Sequence, residues 1–178
     1  MHQSSMSLMA TLLSRHLPSA EERVVLDVGS CDVNGTYRTI VPPGWRYVGT
    51  DIAAGPNVDH VMPNEDTIGF EPDGFDVIIC GQVLEHCKRP WRLVPEMFRV
   101  LQPGGLAVLI TVAKWPLHRY PLDCWRVYPD GMKLLLEDAG FDVLEVGAEP
   151  IEAITELYSA FPVCDCYGVG RKSTKCKS

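Results

Sequence analysis

One stretch decides the predicted fold of this chain: Val24-Val-Leu-Asp27-Val-Gly29-Ser30-Cys31-Asp32-Val-Asn34-Gly35. It runs from a short apolar segment into a polar turn that contains glycine. A second apolar segment, residues 47–52, carries a carboxylate at Asp51. A strand that opens into a glycine turn brings backbone amides close to a ligand, and an acid at the end of the next strand can accept both hydroxyls of a ribose. Together the two segments predict a site for a nucleoside-containing cofactor.

Length and composition indicate one globular domain. The chain has 178 residues and a formal net charge of −7, and a domain of this size buries roughly 70% of its unfolded surface. The negative charge disfavours partners such as nucleic acid or an anionic membrane. We expect a single domain over residues 1–178, with a helix within residues 1–20 and a solvated basic tail over residues 171–178.

The location predicted from the sequence is cytoplasmic. No apolar run approaches the ~20 residues of a transmembrane helix. The N-terminus lacks a basic region followed by an apolar segment and a cleavage site, so no secretion signal is predicted. The seven cysteines are scattered along the chain, and we expect them to be reduced.

Segments with strand-like patterns alternate with segments of helical periodicity. Such alternation predicts a parallel sheet covered by helices on both faces. Pro95 lies inside one predicted helix and is expected to kink its first turns. The predicted strands are residues 24–28, 47–52, 59–62, 75–80, 106–112, 141–146 and 164–170. The predicted helices are residues 8–17, 37–41, 90–101, 132–139 and 151–160, with breaks at residues 102–105 and at Gly140.

Polar residues concentrate where the predicted strands end. In an open α/β sheet the ligand crevice lies at this edge, near the point where the strand order reverses. Five clusters at the same edge therefore favour a binding site over ordinary loop composition. The clusters are residues 29–35, Asp51, residues 64–65, residues 81–86 and residues 114–120.

Several motifs resemble the class I S-adenosylmethionine-dependent methyltransferases of the type 11 group over residues 24–141. Val-Leu-Asp27-Val-Gly29 resembles the first motif of that family, and residues 75–86 resemble its fourth-strand motif. The most specific string is Arg99-Val-Leu-Gln-Pro103-Gly104-Gly105. The resemblance implies a Rossmann-like, doubly wound, mostly parallel sheet of seven strands in the order 3-2-1-4-5-7-6. It also implies three α/β/α layers and an antiparallel seventh strand.

The same resemblance implies how S-adenosylmethionine would be held. Asp51 matches the acid that binds the ribose, and Asn64 falls where the family has an acid beside adenine. The glycine turn would border the methionine part, Ile52 would pack on the adenine face, and Gly81 and Gln82 would line the methionine end through carbonyls and a side-chain amide. Asp27 either contacts the cofactor's ammonium through water or only holds the turn. The expected cofactor-binding residues are Asp27, Gly29, Ser30, Gly35, Asp51, Ile52, Asn64, Glu65, Gly81 and Gln82.

Methyl transfer from a sulfonium needs no metal in principle, because the cofactor already carries the electrophile. A hydroxyl acceptor would benefit from a general base. His118 is the first candidate, since it follows the fifth strand, and His86 is the second, although the pair Glu85-His86 could instead orient the strand-four turn. Cysteines at 164, 166 and 176 lack a fourth ligand at zinc spacing, so no metal ligands are predicted.

The loop after the fifth strand suggests the class of acceptor. Residues 118–126 resemble a segment of methyltransferases from surface-polysaccharide or natural-product pathways. We therefore expect a small-molecule acceptor, either a sugar, a polysaccharide precursor or a natural product. The aromatic residues of this loop either border the acceptor or form a lid packed on the sheet. They are Trp115, Tyr120, Trp125 and Tyr128.

The glycine turn departs from the family pattern and leaves an alternative open. Cys31 and Val33 occupy positions where the family has glycine. A non-catalytic cofactor-binding or partner module with the same fold would tolerate this change. A Rossmann dehydrogenase fits less well, because its Gly-x-Gly-x-x-Gly turn is missing. The oligomeric state also stays open, with a homodimer as one alternative.

Overall fold

The structure, a computed structural model, describes residues 3–18, 21–150 and 163–174. The helices are α1 (Gln3–His16), α2 (Pro90–Val100) and α3 (Pro129–Ala139), and a 3-10 turn covers Tyr37–Thr39. The strands are β1 (Val24–Val28), β2 (Arg46–Asp51), β3 (His60–Val61), β4 (Phe75–Gly81), β5 (Leu101–Lys114), β6 (Asp142–Pro150) and β7 (Cys164–Arg171).

The seven strands form one sheet in the order β3-β2-β1-β4-β5-β7-β6. Strand β1 pairs in parallel with β2 and β4, whereas β7 runs antiparallel to both β5 and β6. The predicted order and the antiparallel last strand are therefore confirmed.

Helices cover both faces of this sheet. Side chains alternate across a strand, so neighbouring residues of the central strands enter different cores. On one face Leu26 and Ile78 pack in a core that includes residues of α2 and α3. On the other face Val25 and Val77 pack with residues of α1. The three-layer arrangement explains why β4 and β5 are apolar along most of their length, since both of their faces are buried.

The ends of the helices follow local sequence signals. Helices α2 and α3 both begin with a proline, Pro90 and Pro129, whose fixed φ suits the first helical position. Helix α3 ends at Gly140, which has a φ of +102° and closes the helix in the left-handed conformation, as predicted. Helix α2 contains Pro95 and ends at Val100. The kink expected at Pro95 stays a prediction.

Two strands are longer than the sequence indicates. Strand β5 begins at Leu101 because this residue pairs with Phe75, and a register shift follows before Val77. Strand β6 continues to Pro150, which pairs with Cys164 of β7. Both extensions depend on pairing with a neighbouring strand, which a local pattern does not reveal. The helix predicted at residues 151–160 lies outside the described residues.

The prediction of a solvated basic tail is wrong for its first two residues. Arg171 belongs to β7 and donates to the carbonyl of Gly104 at 3.0 Å. The Nζ of Lys172 donates to the carbonyls of Phe98 and Leu101 at 2.8 and 2.7 Å. Strand β7 carries Lys172 to the carboxyl end of α2, where carbonyls without helical partners attract a cation.

Candidate functional site

The strand order creates a crevice at the carboxyl ends of β1 and β4. The chain passes from β1 to β2 on one side, whereas β4 lies on the other side. Ligands of open α/β sheets bind at such a reversal. The predicted residues at the carboxyl ends of β1, β2 and β4 therefore meet at one edge, represented by Gly29, Asp51 and Gly81.

Two backbone N–H groups orient the carboxylate of Asp51 at the end of β2. One carboxylate oxygen accepts from the backbone N–H of Cys31 at 3.0 Å, and the other accepts from that of Ile52 at 2.7 Å. An ionised carboxylate has about four acceptor positions, so these two bonds fix its orientation and leave further capacity. Ile52 is 53% exposed beside it, which leaves an apolar surface on which a base can stack.

The glycine turn is tightly held by β2. Gly29 has a φ of +81°, and a Cβ there would lie 2.1 Å from Cγ2 of Val83, so this close approach of two loops requires glycine. The N–H groups of Gly29 and Ser30 both donate to the carbonyl of Thr50, at 2.8 and 3.0 Å. The expectation of backbone amides free for a ligand is therefore wrong at these two positions. Glycine at position 29 instead allows the side chain of Val83 to pack against the turn.

Ser30 and Gly35 stabilise the shape of this turn. The Ser30 side chain is buried and donates to the carbonyl of Asn57 at 3.1 Å. Gly35 has a φ of +128°, and its N–H donates to the carboxylate of Asp32 at 2.8 Å. Its Cα faces Met6 of α1, whose sulfur would lie 3.4 Å from an added Cβ. Helix α1 therefore covers the outer side of the turn.

Asp27 is buried in the last part of β1 and is tied to the same turn. One carboxylate oxygen accepts from the hydroxyl of Tyr47, which in turn accepts from Asn57 at 2.9 Å. Asn57 also donates to the carbonyl of Ser30 at 2.8 Å. Burial raises the pKa of Asp27 to about 7. Its other oxygen, Oδ1, is buried without a hydrogen-bond partner among the described residues.

The residues after β4 face a buried polar network. A Cβ on Gly81 would lie 1.9 Å from the hydroxyl of the fully buried Tyr37. The amide nitrogen of Gln82 donates to Asp165 at 3.0 Å and to Ser5 at 3.4 Å. Burial raises the pKa of Asp165 to about 7. The expectation that this amide group faces a cofactor is wrong for its nitrogen, because Asp165 and Ser5 accept from it.

The residues expected beside adenine lie in the turn after β3. Asn64 is exposed, and its side-chain oxygen accepts from the N–H of Asp66 at 2.9 Å. Glu65 forms an ion pair with Lys88, in the loop after β4. This pair links the two loops across the edge of the sheet.

Three ligand-type side chains converge between the loops after β4 and β5. Glu85, His86 and His118 each offer an oxygen or nitrogen, and these atoms lie within 4.8 Å of one another. The rings of His86 and His118 are 4.9 Å apart in an edge-to-face arrangement. Glu85 is fully buried, and burial raises its pKa. Both histidines were predicted as candidate site residues, and the structure brings them together around a carboxylate.

The loop that carries His118, residues 115–128, is fixed to the loop after β4. The N–H groups of Cys124 and Trp125 donate to the carbonyl of Glu85 at 2.7 and 3.2 Å. The indole of Trp125 donates to the carbonyl of Cys87 at 2.8 Å. These bonds set the position of Glu85 and His118 relative to each other.

A bidentate ion pair between Arg126 and Asp123 stabilises the same loop. Arg126 pairs with both oxygens of Asp123 and donates to the carbonyls of Trp115 and Pro116 at 3.1 and 3.0 Å. The hydrogen bond from Arg126 holds the pKa of Asp123 well below its usual range. Asp123 also accepts from the N–H of His118 at 2.7 Å. The ion pair thereby positions the backbone of His118.

Two of the aromatic residues of this loop do not belong to a lid packed on the sheet. Tyr120 and Tyr128 are each 64% exposed, so that alternative is wrong for them. Trp125 packs edge-to-face against Trp91 of α2 at 5.4 Å. An exposed aromatic rim next to His118 remains available to an acceptor or a partner.

Four residues that shape this edge were not predicted as site residues. Glu85 was visible in the same polar cluster as His86, and the spacing of Asp123 and Arg126 suits a local ion pair. Asp165 gave no signal, because its role depends on the antiparallel return of β7 beside Gln82.

One groove of the molecule lies away from the crevice. A groove of about 490 Å³ lies between α3 and the first half of β6, lined by residues such as Lys133 and Glu137. It is at the amino-terminal edge of the sheet, opposite to the crevice.

In the described part of the chain, no helix has the length and apolar character needed to cross a bilayer.

Comparisons with known proteins agree with this arrangement. A family model described as a methyltransferase domain matches residues 2–146. An uncharacterized methyltransferase of Mycobacterium avium is 35% identical over 104 residues, which cover 53% of this chain and 41% of that protein. The chain thus spans about two-fifths of the length of this relative.

Solved structures show the same fold at low identity. Phosphoethanolamine N-methyltransferase 2 of Haemonchus contortus, in complex with S-adenosyl-L-methionine, superposes with a TM-score of 0.68 at 14% identity over 94% of this chain and 52% of that one. The [4+2]-cyclase SpnF superposes with a TM-score of 0.71 at 16% identity over 97% of this chain and 84% of that one. Such likeness concerns the fold alone.

Proposed function

Because the chain belongs to the class I S-adenosylmethionine-dependent methyltransferases, we propose that it methylates a small-molecule acceptor, either a sugar, a polysaccharide precursor or a natural product. The bound cofactor supplies an electrophilic methyl group on its sulfonium, and the protein's task is to hold acceptor and methyl in line. The observation that carries the proposal is the oriented carboxylate of Asp51 at the crevice, with acceptor capacity to spare.

Further features support this cofactor. The buried Oδ1 of Asp27 has no partner among the described residues, so a cationic ammonium or a bridging water would satisfy it. Asp51 would bind the ribose hydroxyls, Ile52 would pack on the base, and Asn64 or the backbone of Glu65 would lie at the edge of the base. Gln82 would contribute through its backbone.

The acceptor would enter beside the loop after β5. His118 is our first candidate for the general base and His86 the second, a contribution of about 10²–10⁴ in rate. The side chain of His118 is 36% exposed, which allows contact with a bound acceptor. The exposed Tyr120 and Tyr128 would form the rim on which its apolar parts rest.

One observation favours a second function, a non-catalytic module that binds the cofactor or a partner protein. The amides of Gly29 and Ser30 are both bonded to Thr50 and do not contribute donors to a ligand. In such a module S-adenosylmethionine could bind, but no methyl group would be transferred.

The test begins with calorimetric titration of S-adenosylmethionine and S-adenosylhomocysteine. We expect both to bind, and Asp51→Ala to weaken binding by about 10–100-fold, because two charge-assisted hydrogen bonds are lost. Asp138→Ala, on the exposed side of α3, is the control and should bind as the native chain does. Absence of binding to the folded native chain would refute the proposal.

Mass spectrometry with isotope-labelled cofactor then separates the two functions. Incubation with a panel of sugars, nucleotides and phenols should yield a methylated product that is not formed without protein. Cofactor binding without any methylated product over that panel would favour the non-catalytic module.

A further inference from the structure

The carboxylate of Glu85 has one oxygen that nothing in the described structure satisfies. Glu85 is fully buried, and its Oε2 accepts from the hydroxyl of Thr111 at 2.6 Å. Its Oε1 is also buried, without a hydrogen-bond partner among the described residues. The distance from Oε1 to Nε2 of His86 is 3.9 Å, which is too long for a hydrogen bond. A buried acceptor of this kind is costly unless a proton or cation reaches it.

The hydrogen bonds of the two histidines indicate which ring nitrogen of each is available as a ligand. Nδ1 of His86 contacts the carbonyl of Leu122, and Nδ1 of His118 contacts the carbonyl of Pro116 at 3.2 Å. A carbonyl only accepts, so each Nδ1 carries the proton and each Nε2 keeps its lone pair. Backing by a carbonyl or a carboxylate is how metal-bound histidines are held in their tautomer. Asp123 adds such backing at 3.5 Å from Nδ1 of His118.

We propose that Glu85, His86 and His118 form a binding site for a divalent transition-metal ion of the Zn²⁺ class. Two imidazoles and one carboxylate are a ligand set that zinc accepts when a further position stays open for water or substrate. Mg²⁺ fits less well, since it prefers oxygen ligands. This proposal replaces the prediction from the sequence that the chain has no metal ligands, which was based only on the spacing of the cysteines at 164, 166 and 176.

The geometry needs only a small adjustment. The three ligand atoms lie within 4.8 Å of one another, whereas ligands with bonds of about 2.1 Å to a tetrahedral zinc are about 3.4 Å apart. The atoms would have to move together by roughly 1 Å. His118 can supply this movement, because its side chain is 36% exposed. Glu85 is held by Thr111 and by the loop bonds to its carbonyl.

An ion at this place would change how the acceptor is activated. That consequence rests on the proposed function, whereas binding of the ion does not. An acceptor oxygen on the open position would have a lowered pKa and would give its proton to solvent. His86 and His118 would then act as ligands, and neither would be the general base.

The experiment uses the full chain, stripped with a chelator and dialysed, and titrates it with Zn²⁺ in a calorimeter without thiol reductants. We expect one ion per chain. Glu85→Gln, His86→Asn and His118→Asn should each weaken binding by more than about 100-fold, because loss of an outer-shell partner alone costs about 10–100-fold. His16→Asn is the matched control, since His16 pairs with Glu145 outside this cluster.

Cysteines are the competing ligands and are tested separately. Cys124→Ser should leave the affinity for Zn²⁺ unchanged, because Cys124 binds Glu85 through its backbone N–H and its thiol is not among the three converging ligand groups. Substitution of Co²⁺ for Zn²⁺ should produce visible d–d bands without the intense thiolate charge-transfer band in the near ultraviolet. His118→Asn changes a partly exposed side chain, so its folding can be verified by thermal unfolding.

The proposal is overturned if the folded native chain takes up no Zn²⁺, if uptake survives all three substitutions, or if Cys124→Ser abolishes it. Titration of S-adenosylmethionine into the same preparations keeps the two proposals separate. Loss of cofactor binding with intact Zn²⁺ uptake would count against the methyltransferase proposal alone.

Discussion

Gly29 is the residue at which backbone conformation and loop contact constrain the site most directly. It combines a φ of +81° with a space in which an added Cβ would lie 2.1 Å from the side chain of Val83. Gly29→Ala should therefore both strain the turn and push the loop after β4 away from it. We expect the free energy of unfolding to fall by about 1–3 kcal/mol, measured by urea denaturation.

Gly131→Ala is the matched control for this prediction. Gly131 lies inside α3, and a Cβ there would sit at an ordinary 3.7 Å from Val127. Alanine is favoured over glycine in a helix, so this variant should be neutral or up to about 1 kcal/mol more stable. Equal effects of the two substitutions would show that the contact with Val83 does not constrain Gly29.

At the scale of elements, the loop of residues 115–128 is held together by the hydrogen bonds of Arg126. Arg126 binds Asp123 at one end of the loop and the carbonyls of Trp115 and Pro116 at the other. Arg126→Lys keeps the charge but loses the planar fork. We expect the N–H of His118, which donates to Asp123 at 2.7 Å, to exchange with solvent about 10–100-fold faster, since hydrogen bonds to charged groups contribute about 1.5–3 kcal/mol.

Arg119→Lys makes the same chemical change on an exposed residue of that loop. It should leave the exchange of the His118 amide as it is in the native chain. If Arg126→Lys also leaves the exchange unchanged, the fork does not hold the loop, and the position of His118 must depend on the bonds to Glu85 alone.

The elements themselves were largely predictable, because their signals are local. Apolar runs located the strands, Pro90 marked the start of α2, and Gly140 marked the end of α3. Errors occurred where pairing with a distant strand decides the outcome. Strand β5 starts five residues earlier than predicted because Leu101 pairs with Phe75. Lys172 donates to the carbonyl of Leu101, just after α2. Both contacts join segments that are far apart in sequence.

The location of the candidate site in the fold could be predicted from the sequence, whereas the hydrogen-bond partners of its residues could not. Asp51 lies at the predicted strand end beside the turn, because parallel strands bring their carboxyl ends to one edge. The partners of individual groups could not be read from the sequence. The amides of Gly29 and Ser30 bind Thr50, and the amide nitrogen of Gln82 binds Asp165, since burial obliges each polar group to find a partner in its own surroundings.

At the scale of the whole molecule, two buried acids link the stability of the fold to pH. Burial raises the pKa of Asp27 and of Asp165 to about 7 each, from 3.8 for an ordinary aspartate. Between these values the folded chain holds a proton on each group that the unfolded chain has released. The free energy of unfolding contributed by each group therefore falls as pH rises from about 4 to about 7, and is constant outside that window.

Asp27→Asn removes one of these titrations without changing the shape of the side chain. The variant should gain stability relative to the native chain as pH rises from about 4 to about 7, by up to about 4 kcal/mol, since each pKa unit corresponds to about 1.4 kcal/mol. Urea denaturation at closely spaced pH values measures the difference. Asp138→Asn makes the same chemical change on the exposed side of α3 and is the matched control. A constant difference for Asp27→Asn would mean that Asp27 is ionised in the folded chain throughout this range, with its buried oxygen already satisfied by water or a cation.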